Sequence, residues 1–204
     1  MIAIVDYGVG NISAFVNIYH KLNIAIKIAK EPEDLEGVTK LILPGVGAFD
    51  HAMQELNNSG MVDKLNELVL SKKIPVIGVC VGMQMMAKNS DEGELPGLGW
   101  INAEVKRFDE KNINYKTHLP HMGWNDIHTV KKNPILKNLE EDSRFYFLHS
   151  YYFECKEQKD SIAVANYGIN FTCAINHKNI YGTQFHPEKS HQFGIQLLKN
   201  FALL

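Results

Sequence analysis

Three cysteines in 204 residues, Cys80, Cys155 and Cys173, are too few and too scattered for a disulfide framework, and no two stand at CxxC spacing. That excludes a stapled secreted scaffold and sets the expectation of a reducing, cytoplasmic setting. No apolar run is long enough to span a bilayer. Met1 to Asp6 is apolar but short and has no basic leader, so neither a signal peptide nor a membrane anchor is expected. Positive charge is not in excess: 21 Lys and Arg against 23 Asp and Glu leave a net charge of −2. No basic field therefore exists to hold nucleic acid or an anionic membrane. His118 and His121 form the nearest histidine pair, but no HExxH or Cys/His cluster accompanies them, and no metal is expected. Asp6-Tyr7-Gly8-Val9-Gly10-Asn11 begins like a phosphate-binding GxGxxG, but Ser13 stands where the third glycine should be. No nucleotide or other cofactor is expected.

What is present is an ordinary globular balance, 45% apolar and 22% charged, in a chain long enough for one domain with a sizeable core. Neither a repeat nor a Pro/Gly/Ser-rich linker divides it, so residues 1–204 are expected to form a single domain. The first half alternates strand and helix patterns. Ile2–Asp6 reads as a buried strand, and Ser13 opens a helix with Phe15, Ile18, Tyr19 and Leu22 on one face. Lys40 to Leu43 is a second strand, stopped by Pro44-Gly45. Val62, Leu65, Leu68 and Val69 mark another helix, Pro75 to Val79 a third strand, and Gly82 to Lys88 the helix after it. Such alternation predicts an α/β fold: a mostly parallel sheet with helices on both faces. In the second half, Ala103–Phe108, Arg144–His149, Ile162–Asn166, Thr172–Asn176 and Ile180–Gln184 read as strands joined by turns. They predict an antiparallel β extension, closed by a helix carrying Phe193, Leu197, Leu198 and Phe201.

The run Gly78-Val79-Cys80-Val81-Gly82 is G-x-C-x-G between a predicted strand and a predicted helix. A nucleophile on so tight a turn has a strained backbone, and glycines two residues to either side remove the collisions a side chain would cause. The following helix start aims N–H groups at the sulfur and favours the thiolate. The Val81 N–H would lie near an oxyanion formed at Cys80. Cys155 and Cys173 have no such setting and read as structural. A thiolate nucleophile needs an imidazole to move protons, and the imidazole needs an orienting partner. Gln184-Phe185-His186-Pro187-Glu188-Lys189-Ser190, after a predicted strand, offers His186 and Glu188 on one side of an extended segment.

With these runs, and with Val5 to Asn11, Leu43-Pro44-Gly45-Val46-Gly47-Ala48-Phe49, Pro120-His121-Met122-Gly123-Trp124-Asn125 and Phe145 to Tyr152, the chain resembles the class I, triad-type glutamine amidotransferases along nearly its whole length. More narrowly, it is similar to the glutaminase subunits of imidazole glycerol phosphate synthase. The elbow and His-Pro-Glu suit any class I member; Pro-Gly-Val-Gly, His-Met-Gly-Trp-Asn and His-Ser-Tyr-Tyr carry the narrower resemblance.

The resemblance implies that Cys80 attacks the carboxamide of L-glutamine, His186 moves the protons and Glu188 orients His186. It implies an oxyanion site from Gly45, Val46 and Gly47 together with the Val81 N–H, and substrate contacts from Gln84, His149, Ser150 and Tyr151. Glu92 would meet the substrate amino group, with Asp91 beside it as a competitor. The implied partner is a (β/α)8 cyclase subunit that receives the ammonia, forms a heterodimer with this chain, and makes imidazole glycerol phosphate and AICAR in histidine biosynthesis. Lys189 would face that partner, while Trp124 most simply packs a loop, although its motif lies near the partner surface. Glu94 to Ile101 and Lys189 to Gly194 resemble instead a paralogous branch that supplies ammonia for sugar amidination in surface-polysaccharide pathways.

Overall fold

The computed structural model describes residues 1–115, 118–139 and 143–204. Ile2–Val5 (β1) is apolar and buried at every position, as a central parallel strand must be. Helix Ile12–Lys21 (α1) follows with Phe15, Ile18 and Tyr19 buried. The chain returns as β2 (Ile26–Ala29), crosses to β3 (Lys40–Gly45), and runs through α2 (Phe49–Asn58) and α3 (Val62–Asn66). It then enters β4 (Val76–Cys80) and turns at once into α4 (Val81–Gln84). Strands β2, β1, β3 and β4 lie side by side and parallel. The β1-to-β2 and β3-to-β4 connections move in opposite directions across the sheet. Right-handed crossovers then place α1 on one face and α2 and α3 on the other. The closing helix α5 (His191–Ala202) joins α1, because the Tyr19 hydroxyl donates to the Leu198 carbonyl at 3.1 Å.

The second half adds β5 (Ala103–Arg107), β6 (His121–Asp126), β7 (His128–Thr129), β8 (Arg144–His149) and β9 (Tyr151–Cys155). It ends with β10 (Ser161–Tyr167), β11 (Ile169–His177) and β12 (Ile180–Thr183). Strand β12 pairs parallel with β4, and β11, β10 and β7 continue the same sheet antiparallel. Strand β9 touches β11 at one position and carries β5. Strands β6 and β8 form a separate antiparallel ribbon. The expected α/β architecture with an antiparallel extension is thus the one observed. Among the described residues no helix is long and apolar enough to cross a membrane.

Three local readings change. Strand β3 does not stop at Pro44: Pro44 and Gly45 pair with Val79 and Cys80. Leu41 N–H bonds toward β4, to the Pro75 carbonyl, so the even-numbered positions face β1, whose pairing with β3 ends at Ile42. The missing N–H of Pro44 therefore falls where no ladder remains, and its carbonyl is taken by the Tyr7 hydroxyl at 2.6 Å. Helix α4 is shorter than Gly82 to Lys88, because the Met86 and Ala87 N–H groups bond only three residues back, to Met83 and Gln84, and the Lys88 N–H goes to the Ala103 carbonyl. Strands β2, β6, β7 and β9 were not anticipated.

Candidate active site

Cys80 ends β4 with φ 55° and ψ −115°, a region L residues adopt only when the surroundings enforce it. The enforcement is steric. A Cβ on Gly82 would collide with the Leu43 carbonyl oxygen of β3, and one on Gly78 would sit 2.6 Å from the Gly82 carbonyl oxygen. The G-x-C-x-G spacing thus lets strand, turn and helix press together with the sulfur at the apex. The thiol is 4% exposed.

On the neighbouring strand end, beyond β12, His186 is buried and its Nδ1 lies 2.8 Å from Glu188 Oε1. Cys80 and His186 line one cavity, and the Cys80 side chain acts electrostatically on the imidazole. Burial pushes the imidazolium toward losing its proton, but the interactions with Cys80 and Glu188 outweigh this and raise its pKa to about 10. Glu188 is itself enclosed, on a single 3-10 turn from Pro187 to Lys189. Ser190 locks that turn: its hydroxyl donates to the His186 carbonyl at 2.6 Å and accepts from the Tyr146 N–H at 3.0 Å. A thiol, an imidazole and a carboxylate in this order can pass a proton from sulfur to a leaving group and back.

Above the sulfur opens a cavity of about 670 Å³. Cys80, His186, Val46, Gly47, Val81, Gln84, Glu92, His149, Ser150 and Tyr151 all line it. Two sequence candidates do not. Glu188 sits behind His186, and Gly45 is pressed against Gly82 with no room for a Cβ. Glu92 accepts the Phe49 N–H at 3.0 Å, so one carboxylate oxygen caps α2, and burial raises its pKa. Asp91 is drawn away to Lys106 and the Arg107 N–H. Gly10, Asn11 and Pro120 also line the cavity. Gly10 had suggested only a broken phosphate motif; at φ 116° it packs on Pro44.

Gln184 is a further neighbour of Cys80 that sequence reasoning passed over. Its Nε2 lies 3.8 Å from Cys80 Sγ, and its Oε1 accepts from Gln84 Nε2 at 3.0 Å. It stands inside the quoted His-Pro-Glu run, at the end of a strand, where a buried glutamine was the available signal. His149 and His121 are buried partners of each other, 2.9 Å apart. Desolvation lowers both, His121 to about 4 and His149 to about 3, the latter also through the charge of His121. His118 turns away toward Glu110. Among the described residues no three His, Cys, Asp or Glu side chains converge on a metal-sized site. Cys173 is buried and Cys155 half-buried, and desolvation raises both thiols, Cys155 to about 12.

Residues 3–204 match the glutamine amidotransferase class-I family, and the fold agrees with a solved glutamine amidotransferase at TM-score 0.76 and 20% identity, covering 100% of this chain and 99% of that one. The chain belongs to the class I glutamine amidotransferases and is an enzyme of that family. At full length it is similar to a protein of Leptospira borgpetersenii named imidazole glycerol phosphate synthase subunit HisH, with 54% identity over 100% of both chains. A protein of the same name from Bdellovibrio bacteriovorus is 56% identical over 99% of both.

Proposed function

We propose that the whole chain acts as one cytoplasmic domain, the glutaminase subunit of an imidazole glycerol phosphate synthase in histidine biosynthesis, and feeds ammonia to a (β/α)8 cyclase partner. Cys80 Sγ attacks the carboxamide carbon of L-glutamine. The C–N bond breaks as His186 gives its proton to the departing nitrogen, leaving a thioester and ammonia. Water then adds with His186 as base, the C–S bond breaks, and glutamate leaves with the thiol restored. Glu188 holds the imidazole throughout. The Val81 N–H and the Val46 peptide receive the oxyanion, while Gln84, Glu92, His149, Ser150 and Tyr151 bound the amino-acid moiety.

The observation that carries both halves of this reading is the position of an exposed apolar face at the mouth of the triad cavity. On the β6–β8 ribbon, Met122 is opposite Leu148 and Trp124 opposite Tyr146. Met122 is 60% exposed, Trp124 41% and Leu148 37%, and Leu148 also lines the cavity. Lys189 lies 5.8 Å from the Tyr146 ring centroid. An apolar face rimmed by a cation beside the ammonia source suits a stable partner. Gly45, whose ψ turns with the Gly45–Val46 peptide, carries no side chain to obstruct a rotation that brings the Val46 N–H toward the oxyanion when the partner is engaged. A missing donor of this kind costs roughly 10²- to 10³-fold in rate.

Glutamate release is to be measured for the chain alone and with its own organism's cyclase plus the cyclase's nucleotide substrate, beside Cys80→Ala. The expected result is stimulation that Cys80→Ala abolishes, a loss of at least about 10⁴-fold. Equal activity in Cys80→Ala would overturn the triad. No stimulation by a demonstrably active cyclase would overturn the histidine-pathway assignment and favour the sugar-amidinating branch.

A further inference from the structure

Two backbone carbonyls fix the direction of every hydrogen bond in a buried polar chain that ends on the nucleophile. The Tyr151 carbonyl can only accept. His149 Nδ1, 2.7 Å away, must therefore carry its hydrogen, which leaves His149 Nε2 as an acceptor. His121 Nδ1, 2.9 Å from that nitrogen, must then donate, leaving His121 Nε2 to accept from Asn125 Nδ2 at 3.2 Å. Asn125 is oriented independently at the far end. Its Nδ2 donates to the Asn166 carbonyl at 2.8 Å, and its Oδ1 accepts the Asp126 N–H. Both histidines are neutral in this arrangement, in keeping with their desolvation.

The same Tyr151 carbonyl accepts from Gln84 Nε2 at 3.3 Å. That fixes the Gln84 amide, whose nitrogen also donates to Gln184 Oε1 at 3.0 Å. Gln184 can then present only its nitrogen to Cys80 Sγ, 3.8 Å away. Gln184 is fully buried and Gln84 nearly so. Burying two primary amides and two imidazoles is costly unless each has a defined partner, and here they are ordered so that one N–H points at the sulfur.

We infer that Gln184 is a further catalytic residue, the side-chain donor that holds the Cys80 thiolate, and that Gln84, itself oriented by the Tyr151 carbonyl, is the positioning residue that fixes its amide direction. The donor favours the thiolate before attack and keeps the sulfur aimed into the cavity while His186 is occupied with the leaving nitrogen. A hydrogen bond to a charged sulfur is stronger than one to the thiol, so the contact matters most in the reactive state. This rests on Cys80 being the nucleophile of the proposed glutaminase.

The test is alkylation of Cys80 by iodoacetamide in the full chain, without glutamine or partner, followed over pH and located by peptide mapping against Cys155. Gln184→Met removes the donor with similar volume. Its labelling curve is expected to move to higher pH, and labelling at pH 7 to fall about tenfold, with the far-UV spectrum unchanged. Gln184→Glu keeps the shape, replaces the donor by a carboxylate and is expected to label at least as slowly. Gln84→Met removes the N–H that Gln184 Oε1 accepts and is expected to slow labelling severalfold; Gln84→Asn, which keeps a side-chain amide, is expected to slow it less. Wild-type rates in folded Gln184→Met and Gln184→Glu would overturn the role of Gln184. If neither folds, unchanged labelling in Gln84→Met overturns the proposal. Equal slowing in Gln84→Met and Gln84→Asn would reduce Gln84 to packing. Wild-type Cys80 that labels no faster than Cys155 would instead overturn the nucleophile assignment itself.

Discussion

In β1, β3, β4 and β12 almost every side chain is buried, whichever face it points to, whereas on the β6–β8 ribbon burial alternates. His121, Phe145, Phe147 and His149 face inward, while Met122, Trp124 and Leu148 face out. Two-faced burial admits little but apolar residues and glycine, and it suits holding the strained turn at Cys80 in place. One-faced burial leaves a surface for a partner and, on its inner side, room for oriented polar groups. The site takes its rigidity from the first region and its connections from the second.

The sharpest way to break this contrast is Gly82→Ala. Its methyl has nowhere to go but the Leu43 carbonyl, so a loss of more than about 4 kcal/mol is expected. That would show as a drop of roughly 10 °C or more in Tm, or as insoluble protein. On the ribbon, Trp124→Asp should leave Tm and Cys80 labelling near wild type but weaken cyclase binding about 30-fold by calorimetric titration, an effect of about 2 kcal/mol. An unfolded Trp124→Asp would mean that the two regions do not divide labour as described.

Smaller and finer is the response to acid. His121, held neutral with its pKa lowered to about 4, regains a pKa of roughly 6.5 on unfolding. The unfolded state therefore binds more protons as pH falls, and the ribbon loses stability on the acid side. Between pH 6.5 and 5.5 the wild type should lose about 1 kcal/mol more than His121→Asn, measured by urea melts at each pH. His186 behaves in the opposite sense. Its pKa is raised to about 10, so its contribution is complete below about 6.5 and lost as pH climbs toward 10. Glu188→Gln should flatten that alkaline limb.

The same contrast governs what could be read in advance. Strands β1, β4 and β12 and helices α1 and α5 were legible because periodicity and apolar runs report two-faced burial directly, and β8 emerged with its bounds intact. The ribbon's other strand, β6, was not: His121-Met122-Gly123-Trp124-Asn125-Asp126 mixes an inward histidine and asparagine with outward methionine and tryptophan, the reverse of the usual pattern. Strand β9 was hidden because its first residue, Tyr151, had been assigned with His149 and Ser150 to a substrate-contacting strand end. At the site, Cys80, His186 and Glu188 were legible because their spacing alone defines the turns they occupy. Gln184 was not, since its role depends on Gln84 and Tyr151, which only folding brings beside it.

One detail of the His186 turn has a mechanical meaning. The backbone N–H of His186 donates to the Tyr146 carbonyl at 2.9 Å, and the Tyr146 N–H is held by Ser190. Residue 146 thus grips the turn from both of its peptide groups while its ring faces the exposed side beside Trp124. The linkage is short and runs through backbone groups and one hydroxyl, so the place of the imidazole is tied to the place of strand β8 itself.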